Sequence, residues 1–446
     1  MLQLEIKQNT EAEQLKQSLC QVMLQIAYQI PQSPTQDLIL AATLALPHLK
    51  EVATVLTPCI PDEELIWAYV GLGRFYQGQG AYNQAQPWYE RCLAAIKVRL
   101  GETHADVAGS LNNVAGLYQS QGRYSEAEAL YVQALELKWQ LFGKVHPDVA
   151  LSLNNLALLY YAQGRYSEAE PLYAQALELR QVLLGETHPD VALSLNNLAL
   201  LYYAQGRYSE AEPLYAQALE LRQVLLGETH PDVAQSLNNL AELYRSQGRY
   251  SEAEALYVQA LELRQVLLGE THPDVAQSLN NLALLYYAQG RYSEAEALYV
   301  QALELRQVLL GETHPDVAQS LNNLALLYYA QGRYSEAEAL YVQALELRQV
   351  LLGETHPDVA QSLNNLAGLC QSQGRYGEAE LFYLRALSIV VDCLGESHPT
   401  TITVWQNFVE LISQVIQAEQ TALLSDHPLV QHTLLQLQSI PNRPSI

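Results

Sequence analysis

A 42-residue unit recurs almost unchanged through the middle of the chain. In its fullest form it reads GETHPDVAQSLNNLALLYYAQGRYSEAEALYVQALELRQVLL, from Gly269 to Leu310. Its opening glycine returns at Gly101, Gly143, Gly185, Gly227, Gly269, Gly311, Gly353 and Gly395, at steps of 42 residues. Self-similarity at a fixed period restricts the fold to a repeat architecture: one short unit cannot bury its apolar face alone, so neighbours must stack into a continuous core. A length of 446 residues would otherwise suggest several globular domains. The repetition predicts one array instead.

Each unit reads as two helices. The first opens at His272-Pro273-Asp274, where proline suits the first turn and aspartate complements the positive end of the helix dipole. Leu279, Leu282 and Tyr286 follow at helical spacing, and Gln289-Gly290 stops the helix. The second starts near Tyr292-Ser293, with Ser293 and Glu296 at capping-box spacing. Ala295, Leu298, Tyr299, Ala302 and Leu303 then form one apolar stripe. No run alternates apolar and polar residues as a strand would, so the expected class is all-α.

Leu279, Leu282, Ala283, Tyr286, Gly290, Tyr292, Ala295, Tyr299 and Ala302 together resemble the ordered small-and-large pattern of tetratricopeptide repeats. The 42-residue length, with LNNLA-x-LY, G-x-Y-x-EAE and ALE-x-R, is similar to the kinesin light chain subfamily, over roughly residues 62–400. The resemblance implies a right-handed superhelical solenoid of antiparallel helix pairs. It also implies a protein-interaction scaffold. Kinesin light chains carry a heptad coiled coil ahead of their repeats. Residues 1–60 here are short and proline-broken and show no sustained heptads, so motor association is not implied.

The expected organisation is an N-terminal helical cap over residues 1–60, a divergent first repeat over 61–100, seven regular repeats over 101–394, and a capping helix with a frayed tail over 395–446. In the cap, Leu15, Leu19, Val22, Met23, Ile26 and Ile30 fall on one side of a helix, and a second helical stretch from Gln36 to Val55 is kinked or split at Pro47.

A net charge of −24, with five acids and two arginines in each standard unit, argues against nucleic acid and against an anionic membrane as partner. No stretch is long and apolar enough to span a bilayer, and no secretory leader is recognisable. The five cysteines are scattered, with no CxxC, and read as reduced side chains of a cytoplasmic protein. The motif histidines lie a whole repeat apart, too far to share a zinc ion, and read as residues at helix starts. No catalytic motif, cofactor signature or metal site is found, so the chain reads as a non-enzyme.

The candidate site is a ladder on the first helices. Asparagine is a poor residue inside a helix, costing roughly 0.5–0.7 kcal/mol against alanine, so seven Asn-Asn pairs need a compensating role. The resemblance places the second of each pair in the concave groove, where its amide bonds the backbone of an extended peptide: Asn113, Asn155, Asn197, Asn239, Asn281, Asn323 and Asn365. The alternative is that these amides satisfy backbone or neighbouring-repeat groups. Helical spacing puts Leu158, Leu200, Leu284 and Leu326, then Tyr161, Tyr203, Tyr287 and Tyr329, on the same face. One unit breaks the pattern with Glu242 and Arg245, which read as a surface ion pair or as a selectivity point. The expected partner is a protein or peptide, bound in extended or helical form. The divergent ends read as caps and predict a monomer, with a self-assembling homo-oligomer as the alternative.

Because the copies are interchangeable in register, deleting Gly269–Leu310 is expected to leave a folded, shorter helical array. Circular dichroism and denaturant unfolding check this; loss of cooperative unfolding would count against it.

Overall fold

The structure, a computed structural model, describes residues 2–31 and 36–439; the tail expected to fray lies outside the described residues. It is 83% helical with no strands among the described residues. Three helices precede the repeats: α1 (Leu2–Gln29), α2 (Gln36–Thr43) and α3 (Leu46–Thr54). The first pair is α4 (Leu65–Gln77) and α5 (Tyr82–Leu100). Seven regular pairs follow: α6 (Ala105–Ser120) with α7 (Tyr124–Phe142), α8 (Pro147–Ala162) with α9 (Tyr166–Leu184), α10 (Pro189–Ala204) with α11 (Tyr208–Leu226), α12 (Pro231–Ser246) with α13 (Tyr250–Leu268), α14 (Pro273–Ala288) with α15 (Tyr292–Leu310), α16 (Pro315–Ala330) with α17 (Tyr334–Leu352), and α18 (Pro357–Ser372) with α19 (Tyr376–Leu394). The chain closes with α20 (Pro399–Gln417) and α21 (Pro428–Gln438).

The helices fall into two compact units, one of residues Met1–Leu285 with Glu304–His314, the other of Tyr286–Leu303 with Pro315–Ile446. In the first, each pair from α4/α5 to α12/α13 packs internally, and α5, α7, α9 and α11 each pack on the first helix of the next pair. In the second, α16/α17 and α18/α19 pack the same way, and α19 leads to α20 and α21.

The local chemistry is uniform, and one repeat shows it. His188 caps α10: its Nδ1 accepts the amide N–H of Asp190 at 3.1 Å, and Pro189 occupies the first turn. Gly206, at φ 71°, closes the helix, and the N–H of Arg207 donates to Tyr202 O at 2.8 Å. The expected Ser–Glu capping box does not form. Ser293 lies inside α15, and in the equivalent helix α11 the cap is Arg207, with no side-chain cap bond. The glutamate is engaged elsewhere: Glu212 accepts Arg249 of the next pair at 2.9 Å.

The core is a column of small sockets and tyrosines. Ala199, Ala211 and Ala218 are fully buried, with Tyr215 beside them. A second, polar layer joins the pairs. Arg222 is buried and donates to Asp232 O at 3.0 Å and to Ser236 Oγ at 2.8 Å across the repeat boundary. Arg264 makes the same two bonds to Asp274 O and Ser278 Oγ, and a third to Gln235 Oε1 at 2.8 Å.

The stretch from Gln36 to Val55 is split into two helices, as expected, with Pro47 in the first turn of α3. One expectation for the first segment changes. The buried side of α1 is Cys20, Met23, Leu24, Ala27 and Ile30, whereas Leu15 is 71% exposed and Val22 53%. The reason is steric. α1 meets α4 through its small residue: a Cβ on Gly71 would stand 2.6 Å from Ala27 Cβ, so contact requires alanine on one side and glycine on the other.

Replacing Arg264 by alanine removes a buried guanidinium that bonds three acceptors and is expected to destabilise the array by about 2–4 kcal/mol. Urea unfolding of the two proteins measures it.

Candidate partner-binding face

The first helices of consecutive pairs touch each other, α10 with α12 in the first unit and α16 with α18 in the second. Their shared face carries the predicted ladder. The second asparagines, Asn113, Asn155, Asn197, Asn239, Asn281, Asn323 and Asn365, are all half-buried. Three of these amides, those of Asn197, Asn239 and Asn365, reach the neighbouring repeat. Asn197 Nδ2 donates to Asn154 Oδ1 at 2.8 Å, Asn239 to Asn196 at 2.6 Å, and Asn365 to Asn322 at 2.8 Å. Asn407 of α20 continues the series onto Asn364 at 3.0 Å. The carbonyl side is used as well: Gln235 Nε2 donates to Asn239 Oδ1 at 2.9 Å, while the other end of Gln235 accepts Arg264. Asn154, Asn196 and Asn322 thus sit buried as acceptors. Asn112 and Asn238 keep a buried Oδ1 with no partner. An amide that donates once and accepts once still has one N–H and one lone pair left.

The tyrosines stand next to the second-helix starts. Tyr161 tilts against Tyr166, Tyr203 against Tyr208, Tyr287 against Tyr292 and Tyr329 against Tyr334, with ring centroids 5.8–5.9 Å apart. All four are half-buried, and burial pushes the Tyr161 hydroxyl up to about 12. Leu158 is 38% exposed; Leu200, Leu284 and Leu326 are half-buried. The apolar strip is therefore accessible in part.

Glu242 and Arg245 do pair, but not as an isolated surface contact. Glu242 accepts Arg245 through both oxygens, with Nε to Oε2 at 3.0 Å. It also accepts Tyr257 Oη at 2.6 Å and Tyr203 Oη at 3.0 Å. Tyr203 lies 2.9 Å from Ser246 Oγ. The group thus ties α10, α12 and α13 together. Burial opposes ionisation of Glu242, but the hydrogen bond and charge of Arg245 and the two hydroxyls outweigh it, and its pKa is lowered.

In the second unit, several ladder residues converge. A cleft of about 300 Å³ is lined by Leu326, Tyr329 and Asn365, by Gly368 and Gln371 of α18, and by Asn407, Glu410 and Gln414 of α20. Gly368 stands where the neighbouring repeat has Leu326, and a Cβ there would meet only Tyr383 Oη, at 3.7 Å. The absent side chain leaves the space open. Glu410 and Gln414 escaped the sequence reading because α20 lacks the repeat's closing glycine, and the period by itself does not carry past it.

Comparison with known proteins places the array. The tetratricopeptide repeat profile matches residues 64–138, 148–224, 190–265, 232–307, 274–349 and 316–392. The chain belongs to the tetratricopeptide repeat family. Arrays of this family are protein-interaction scaffolds and are typically non-catalytic. Among solved structures it is similar to BtubC (BKLC) of P. vanneervenii, at 31% identity over 51% of this chain and 89% of that one, with a TM-score of 0.41. A Podosopora anserina protein named for kinesin light chains, with nearly identical TPR-like repeats, is 29% identical over 46% of this chain and 97% of its own, TM-score 0.39. The fold is shared over a longer stretch with a Rap protein complexed with Competence and Sporulation Factor: 16% identity, 86% of this chain, 99% of that chain, TM-score 0.55. No curated protein matches the sequence significantly. Among the described residues no helix is long and apolar enough to cross a membrane.

The lowered pKa of Glu242 has a pH signature. A carboxylate held below its ordinary value stabilises the fold above that value and loses the contribution as pH falls through the folded one. The stability advantage of the parent over Glu242→Gln is therefore expected to be full at neutral pH and to shrink as pH falls below 4.5. Urea unfolding of both proteins across that range tests it; a constant gap would refute the charge-based account.

Proposed function

We propose that this chain is a non-catalytic, cytoplasmic scaffold that holds an extended segment of a protein partner along the face of its first helices. The observation that supports the reading is the cleft of about 300 Å³ where Leu326, Tyr329 and Asn365 meet Gln371, Asn407 and Glu410. Amides there present donors and acceptors to a peptide backbone, the leucine and tyrosine offer apolar contact, and Glu410 suits a basic or donor side chain. Its volume is at the low end of ligand pockets, the size of one or two side chains. The asparagine ladder contributes its remaining hydrogen-bonding capacity, its first use being to join repeats. The five cysteines, all unpaired, accord with a reducing compartment.

Gly368→Leu separates binding from folding. Leucine restores the residue found at the equivalent interior position and improves helix propensity, so stability is expected to rise by up to about 1 kcal/mol. It also fills the cleft. A crosslinked pull-down from the native source is expected to lose, with this variant, a protein that the parent captures. If the same proteins are recovered on both baits, the binding segment does not occupy this cleft.

A further inference from the structure

Leu326, Gly368 and Glu410 are successive occupants of one repeat position, and Glu242 holds the same position four periods before Glu410. At Glu242 the chain supplies every partner. Arg245, one turn on, donates Nε to Oε2 at 3.0 Å and a terminal nitrogen to the other oxygen. Tyr257 Oη donates at 2.6 Å and Tyr203 Oη at 3.0 Å. The corresponding residues around Glu410 are Ser413, Ser425 and Gln371. None of them bonds it. Ser413 Oγ donates to Val409 O at 2.9 Å. Ser425 gives its N–H to Glu380 at 2.9 Å, and its hydroxyl as well. Gln371 Oε1 accepts Tyr383 Oη at 3.0 Å. The Glu410 carboxylate is exposed and has no hydrogen bond and no ion pair among the described residues. It lines the cleft of about 300 Å³ between α16, α18 and α20. Room lies beside it, because Gly368 replaces the leucine of the preceding repeat and a Cβ there would meet only Tyr383 Oη, at 3.7 Å.

We infer that the partner segment seated in this cleft carries an arginine, whose guanidinium takes at Glu410 the place that Arg245 holds at Glu242. The inference rests on the occupancy proposed above and adds the chemistry of the occupant. Water satisfies Glu410 while the cleft is open. A segment lying over it strips that water away and leaves a covered, unpaired charge unless it brings a cation. Arginine fits better than lysine, because its planar fork bonds both carboxylate oxygens at once, as Arg245 does at Glu242. A net charge of −24 favours a basic segment at longer range and disfavours an acidic one.

A displayed library of short peptide segments tests the inference on the immobilised full chain. Each segment has random flanks and a central arginine, lysine, glutamine or glutamate, and sequencing reads the enrichment of each class. Arginine segments are expected to be enriched about three- to tenfold over glutamine segments, with lysine between them and glutamate lowest. Glu410→Gln is expected to abolish the preference. Ser413→Arg, which copies the internal pair of Glu242 and Arg245, abolishes it while keeping the carboxylate. Glu396→Gln, which removes one exposed negative charge elsewhere, leaves it unchanged. Circular dichroism confirms that each variant folds. An arginine preference that survives Glu410→Gln or Ser413→Arg, or that Glu396→Gln removes equally, overturns the inference. Segments that the parent retains and Gly368→Leu loses, with no preference for arginine, leave the occupancy standing and overturn this inference alone. If no retained segment is lost on Gly368→Leu, both fall.

Discussion

Each helix pair leaves an apolar flank that only the next element can cover. Val191 and Leu195 are buried, and Leu177 half-buried, because α11 lies over them. Fully burying one leucine contributes roughly 1.5–3 kcal/mol, and a pair on its own would leave several exposed. The array therefore gains stability by adding neighbours, and its last neighbour must differ. At the C-terminal end α21 takes this role: Leu387 and Thr401 are buried, and Leu387 shares one core with Val430 of α21.

Polar ladders set the register of this apolar stack. Asn197 on Asn154 and Arg222 on Ser236 are side-chain bonds across repeat boundaries, buried or half-buried. Arg165 repeats the theme outside: it bonds Glu128 of the preceding pair at 2.6 Å and Glu168 at 2.7 Å, and its guanidinium lies 4.0 Å from the Tyr160 ring centre. Such exposed pairs add little stability one by one. The buried ones matter for a different reason: sliding one repeat along the next would leave a guanidinium or an amide unpaired, which costs more than the bond itself contributes.

On the function proposed, specificity belongs to the departures from the repeat. Where every unit is alike, every groove segment is alike and discriminates nothing. Glu242 and Arg245 replace leucine and tyrosine once, and the polar group they build reaches three helices. Glycine stands in place of leucine at Gly116 and at Gly368, and the latter opens the cleft beside α20. Both changes lie on the face shared by the first helices, and both alter its chemistry without disturbing the column of alanines and tyrosines behind it.

Much of this was legible in the sequence. The period determined the helix pairs, proline and glycine marked their ends, and helical spacing placed Asn, Leu and Tyr on one face. These are local consequences of backbone geometry, and the repetition reinforces each of them. Other features depended on contacts between distant residues. The Ser293 capping signal lost to a glutamate–arginine bond across the repeat boundary. Leu15 and Val22 look as apolar as Met23, yet only the close approach of Ala27 to Gly71 decided which side of α1 is buried. The asparagine pairs were ambiguous because an amide bonds a peptide or a neighbouring amide equally well; tertiary packing brought Asn154 within 2.8 Å of Asn197 and settled their first use. Local spacing thus determined the elements and their faces. The tertiary structure decided which polar groups meet, because that depends on the distance between residues about forty positions apart.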